Sequence, residues 1–298
     1  VAAPLEALDR VNLLVVTGKG GVGKSAVTAA LGRLLAARGR ATLLVEADPR
    51  ENLHQLLDVD PSGGDLVSVA PGLSLQHVHS RALLDDLVRD KLKVGLLVNR
   101  VLQSPIHQHF TEGAPGLKET AVFGHILRLL QGHGLRAAPR PDVVVLDAPA
   151  TGHGVQWMMA PRLVADVVSS GPVGHMATEI AALLADRRRC GVVVVTLAEE
   201  MPVEETIDLL DLFESRLDLE PELVVVNALY PPLPTSLADD DPVTGLWRHR
   251  RRINERELER LEVRWRGPRV ELPLLPIDPG PPLVGALGRH LELGLRRS

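Results

Sequence analysis

A chain of 298 residues, 45% of them hydrophobic, can build one large α/β domain or two small ones, and with only 2% aromatics its core must be Leu, Val and Ala. The net charge of −5 gives no general attraction to nucleic acid or membrane, and the single cysteine, Cys190, excludes an intrachain disulfide and makes a reducing, cytoplasmic location the expectation. There is no run of 18 apolar residues and no basic-then-apolar start, so neither a transmembrane helix nor a signal peptide is expected.

Residues 11–16 read as a buried strand and 26–38 as a helix. Between them, Gly18-Lys19-Gly20-Gly21-Val22-Gly23-Lys24-Ser25 fits G-x-x-x-x-G-K-[ST], the phosphate-binding loop. Each residue type has a physical task. The glycines let successive backbone N–H groups, from Gly18 to Ala26, turn inward as a concave anion site. Lys24 brings a mobile cation to the β- and γ-phosphates, Ser25 a hydroxyl for Mg²⁺, and the following helix its positive end. Residues 41–49 form a second buried strand that closes on Asp48. Strand–helix–strand predicts parallel pairing and a right-handed crossover, which puts Asp48 at the carboxyl edge, facing the phosphates.

Residues 61–80 are punctuated by Gly, Pro and Ser around a strand-like run at 73–78. A helix is expected over 81–102, where Leu83, Leu87, Val94, Val98 and Val101 share a face. A loop at 103–116 and a further helix to about 131 follow. Residues 141–147 make a continuous apolar strand, buried on both faces and ending in Asp147. Two more strands are expected at 191–197 and 223–227, separated by a helix to about 217, and a last helix at 283–295. The pattern predicts a doubly wound α/β fold with a mostly parallel sheet. It also predicts a single P-loop domain over 1–298, with a helical insertion at about 80–135.

The loop carries a second lysine, Lys19, directly after its first glycine. This G-K-G-G-V-G-K-S pattern resembles the deviant loop of the group that includes the arsenite-pump ATPase (ArsA), the tail-anchored-protein targeting ATPase, MinD, ParA and the nitrogenase iron protein. The resemblance implies that Lys19 reaches across a homodimer to the partner's phosphates. Asp48-Pro49-Arg50-Glu51-Asn52-Leu53 resembles the first switch of the ArsA family, D-P-A-x-N-L, although Arg50 and Glu51 depart from it. The family's catalytic aspartate, which orients the attacking water, maps onto Asp48. Asp147-Ala148-Pro149-Ala150-Thr151-Gly152-His153 resembles its second switch, D-T-A-P-T-G-H, whose final T-G-H is absent from MinD and ParA. Asp147, like Asp48, is thereby implied to act on Mg²⁺ through water, with Ser25 in direct contact. Asn227 matches the family's adenine-reading asparagine. Leu274-Leu275-Pro276-Ile277-Asp278 is similar to its adenine loop, with Pro276, Ile277 and Asp278 as the implied contacts.

One cysteine excludes a nitrogenase-type cluster and disfavours a metalloid site, which needs several soft thiolates. The zinc-binding C-x-x-C of eukaryotic-type targeting ATPases is missing from 245–261. His77/His79 and His107/His109 pair as H-x-H but lack further nearby ligands. Arg248, Arg252, Arg256, Arg260 and Arg264 form a ridge interspersed with glutamates, expected as a solvated, salt-bridged helix and no clear nucleic-acid site. Leu283, Leu287, Leu291 and Leu295 make the last helix amphipathic; core packing is expected, with peripheral membrane contact left open. Residues 80–135, where the targeting ATPases carry a methionine-rich client groove, contain no methionine.

The reading is an Mg-ATP-hydrolysing homodimeric switch coupled to an unidentified client, expected to be a protein. A MinD/ParA-type positioning ATPase, on membrane or nucleoid, is the alternative. A small-molecule kinase or ligase on the same loop is a further rival.

Overall fold

A computed structural model describes residues 4–47, 51–84, 116–134, 139–149, 154–168, 170–233 and 242–297. Asp48, Thr151-Gly152-His153, His107, His109 and most of the helix and loop expected over 81–116 lie outside the described residues.

In chain order come α1 (Pro4–Arg10), β1 (Leu13–Thr17), α2 (Lys24–Ala37), β2 (Thr42–Glu46), α3 (Leu53–Leu57), β3 (Val67–Ala70) and β4 (Leu73–His77). There follow α4 (Leu117–Leu130), β5 (Val143–Asp147), α5 (Gly154–Val167), α6 (Gly171–Ala185), β6 (Cys190–Leu197) and α7 (Glu200–Leu217). The chain ends with β7 (Leu223–Leu229), α8 (Pro242–Arg264), β8 (Arg269–Pro273) and α9 (Pro281–Leu295). The strands form one eight-stranded sheet, ordered β3-β4-β2-β5-β1-β6-β7-β8. Every pairing is parallel except β3 with β4, an edge hairpin turned by Pro71-Gly72. The mostly parallel, doubly wound sheet is the predicted class.

The sheet is buried on both faces because its strands are runs of branched residues whose alternate side chains enter opposite layers. In β5, Val143 and Val145 join a core with α1, α2, α3 and α9, while Val144 and Leu146 join one with α4 to α8. The last helix belongs to the first layer: Val284, Leu287, Leu291 and Leu295 are buried, and α9 packs on α2 and β8. Its apolar face is thus core, as expected.

The arginine ridge is salt-bridged at Arg256, Arg260 and Arg264, but largely to α7 and not to the glutamates expected beside it. Arg260 pairs with Glu204, and Arg264 with Asp211 and Glu214. Glu257, expected at the surface, is fully buried, with Arg256 and Arg260 on its two oxygens at 2.8 and 2.7 Å. Two guanidiniums let a carboxylate lose water without losing its charge partners.

Candidate active site

The order of strands decides which residues meet. β1 lies between β5 and β6, with β2 beyond β5, so the carboxyl ends of β1, β2 and β5 adjoin. Asp147 is in register with Val16 on one side and Glu46 on the other. Crevices outside such strand ends are where open α/β sheets bind ligands.

The loop from β1 to α2 occupies this edge. Gly18 (φ 143°) and Gly23 (φ 88°) each adopt backbone conformations unfavourable to other residues. Each also sits against a neighbour that a side chain would strike. A Cβ at Gly18 would lie 2.1 Å from the Val195 carbonyl oxygen, and one at Gly23 2.3 Å from Asn227 Nδ2. The loop is thereby seated on β6 and β7. Asn227 completes the contact by donating Nδ2–H to the Val22 carbonyl at 3.0 Å. Beyond it, Ala228 has φ 54° and the β7–β8 register shifts between Val226 and Leu229. The Leu229 carbonyl then accepts the Leu274 N–H at 2.7 Å, which ties the exposed loop of Pro276, Ile277 and Asp278 to the strand that bears Asn227.

Inside the loop, buried Lys24 donates from Nζ to the Lys19 carbonyl at 2.9 Å. The Ser25 hydroxyl donates to Asp147 Oδ2 at 2.6 Å and Thr28 to Oδ1 at 3.3 Å. Thr28, one turn into α2, was not singled out in the sequence; its spacing of three from Ser25 on a helix was the available signal. A hydroxyl facing a buried carboxylate is an all-oxygen donor set, which fits a hard cation such as Mg²⁺. A buried lysine and a glycine-rich loop leading into a helix N-terminus beside it fit phosphate.

Lys19 is engaged within its own chain. Its Nζ lies 2.5 Å from Glu205 Oε1 on α7, with the two side chains 28% and 41% exposed.

Glu46 was also missed. It closes β2 at 1% exposure, and its Oε1 accepts the N–H groups of Asn52 at 2.7 Å and Leu53 at 3.2 Å. An acid ending a strand buried on both faces was the signal. Glu51 then spans to the next strand, with Oε1 3.1 Å from His77 Nδ1 and accepting the Gly63 N–H at 3.1 Å. His77 and His79 stack edge to face, and among the described residues no group of three or more His, Cys, Asp or Glu is placed to hold a metal ion.

Burial pushes the Glu46 carboxyl up to about 7; the Asn52 N–H opposes this, the Asp147 charge adds to it, the Leu53 N–H opposes it, and Glu51 adds to it. The sign follows from the proton count. Below an ordinary value of 4.5 the group is neutral whether the chain is folded or not. Above that, the unfolded chain loses the proton first. Up to about 3 kcal/mol of stability is therefore lost as pH rises to about 7. In Mg²⁺-free buffer, Glu46→Gln should melt close to wild type at pH 5 and several degrees above it at pH 8. Equal melting temperatures at pH 8 would mean that the carboxyl ionises there at no cost.

Sheet order, loop and hydroxyl–carboxylate pair together define a P-loop nucleotide-binding protein. The family model of anion-transporting ATPases (ArsA ATPase) matches residues 11–171, more than half of the chain. ATPase BagA of Mycobacterium tuberculosis is 31% identical over 229 residues, covering 75% of this chain and 67% of that protein. An arsenical pump-driving ATPase of Escherichia coli is 27% identical over 267 residues, 83% of this chain but 43% of its own length. ATPase GET3C of Arabidopsis thaliana is 26% identical over 159 residues, 48% and 40% of the two chains. The chain belongs to the ArsA ATPase family and is an ATP hydrolase. No helix among the described residues is long and apolar enough to cross a membrane.

Proposed function

We propose that the chain acts as a cytoplasmic homodimeric switch, coupling MgATP binding and hydrolysis to capture or release of a protein client. The observation that carries this reading is the convergence of Lys24, Ser25, Thr28 and Asp147 at one strand edge, with a second lysine on the loop. Lys24 neutralises the β- and γ-phosphates as they bind. Ser25 directly, and Asp147 and Asp48 through water, would hold Mg²⁺, which when bound would supply charge neutralisation on the phosphates. Asp48 orients the attacking water, and Lys19 answers the developing charge in the partner's site. Asn227 keeps its carbonyl for the adenine edge while its N–H group seats the loop, and the segment from Pro276 to Asp278 closes over the base.

A metalloid client is disfavoured. A trivalent soft centre prefers about three sulfur ligands, and each subunit has only Cys190. That thiol is buried, and burial, then Glu222 and Asp186, push it up to about 12, far from a reactive thiolate. The positioning alternative draws no support from α9, whose apolar face is spent on the core.

The test is subunit mixing. Lys19→Ala and Asp48→Asn should each hydrolyse MgATP on the order of 10²–10³-fold more slowly than wild type. Mixed one to one, they should recover about a quarter of wild-type turnover, because a quarter of the sites in randomly assorted dimers pair an intact Asp48 with an intact partner lysine. Flat turnover at every ratio would remove the shared site. A several-fold rise with arsenite that vanishes in Cys190→Ser would replace the protein client with a metalloid.

A further inference from the structure

The ion pair between Lys19 and Glu205 joins the phosphate loop to α7, and the fold holds both ends. Lys19 follows Gly18, which is wedged against the Val195 carbonyl, and its own carbonyl is taken by Lys24. β6, the strand that bears Val195, leads directly into α7, so the loop and the start of that helix lie side by side. α7 is anchored by Val203, Thr206, Leu210 and Phe213 in the core, and the Thr196 hydroxyl donates to the Pro202 carbonyl at 3.1 Å. Its adjacent acids are divided: Glu204 pairs with Arg260 of α8, and Glu205 with Lys19. Glu205 therefore holds the lysine from a rigid helix.

We infer that Glu205 is a positioning residue for ATP-driven dimerisation: it keeps Lys19 on its own subunit until a partner's triphosphate competes for the ammonium. The inference rests on the proposed homodimeric switch, in which Lys19 acts across the interface. At 2.5 Å the Glu205 carboxylate matches the charge of the ammonium and aims it at α7 of its own chain, so engaging phosphate in another subunit means loosening or exchanging that pair. The exchange is attainable because the pair is partly exposed, and such pairs are weak. A triphosphate, with its greater charge, can outbid a single carboxylate. The device would keep the subunits apart without ATP and set the protein concentration at which ATP joins them. A symmetric dimer carries two such pairs, so any weakening at Glu205 counts twice.

The experiment is sedimentation of the full chain across protein concentration, with Mg²⁺ and the slowly hydrolysed analogue ATPγS. Glu205→Gln should lower the concentration for half-dimerisation by about three- to tenfold. Glu205→Asp, which keeps the charge, should stay within about twofold of wild type. In a Lys19→Ala background the change at Glu205 should have no effect, a result that a merely structural role for Glu205 would not produce. An unchanged or raised midpoint in Glu205→Gln, or the same shift in the Lys19→Ala background, would overturn the inference while leaving the switch standing. A wild-type chain that stays monomeric with the analogue would remove the switch and the inference together, and the wild-type arm alone reports it.

Discussion

Lys24→Ala should lose at least about 100-fold in affinity for MgATP while keeping the fold. Lys24 is buried at the start of α2, where its ammonium reaches back over the loop to the Lys19 carbonyl. That contact leaves the cation at the point where the β- and γ-phosphates are expected, already desolvated. Removing it leaves the helix N-terminus and loop amides as donors, but takes away the charge they work with. The fold should survive because the lost hydrogen bond is local to the loop, and the strands beneath are held by the two apolar layers. Calorimetry reads the affinity and circular dichroism the fold. A folded variant with wild-type affinity would remove the phosphate-binding assignment of this loop.

Asp147→Asn should separate Mg²⁺ from nucleotide. The amide oxygen can still accept the Ser25 hydroxyl while its NH2 donates to the Thr28 oxygen, so the site should keep its shape. The charge that would attract the cation is gone. Turnover at fixed Mg²⁺ should fall on the order of 10²-fold, with the Mg²⁺ concentration for half-maximal rate raised at least about tenfold. ATP binding in EDTA should be equal to wild type or tighter, because an anion has been removed from beside the phosphates. That opposition of signs is the diagnostic. Weaker ATP binding in EDTA would mean that Asp147 serves the loop's packing through Ser25 and Thr28 instead of serving the metal.

Much of the candidate site was legible in the chain because it is contiguous. Residues 18–25 are a contiguous glycine-rich loop, and β1 and α2 on either side follow from local patterning. Asp147 could be read because it ends the clearest apolar run in the chain. The sheet class followed from strands too apolar to have a wet face. The antiparallel edge strand β3 was missed because it is four residues long and only half-buried. α5, with Pro161 inside it, and α6, with Gly171-Pro172 at its start, were missed because those residues read as breaks.

Pairings between distant segments depended on tertiary structure. Glu46 looks like an ordinary strand end until strand order sets it beside Asp147. Glu257 reads as one more surface acid until packing buries it under two arginines. Lys19 and Glu205 are 186 residues apart, and no local pattern links them. Backbone preference, periodicity and a contiguous loop act between near neighbours in the chain, so the sequence by itself determined the class of fold and the candidate phosphate loop. Which charge meets which depends on the order in which strands assemble, and only the folded sheet decides that.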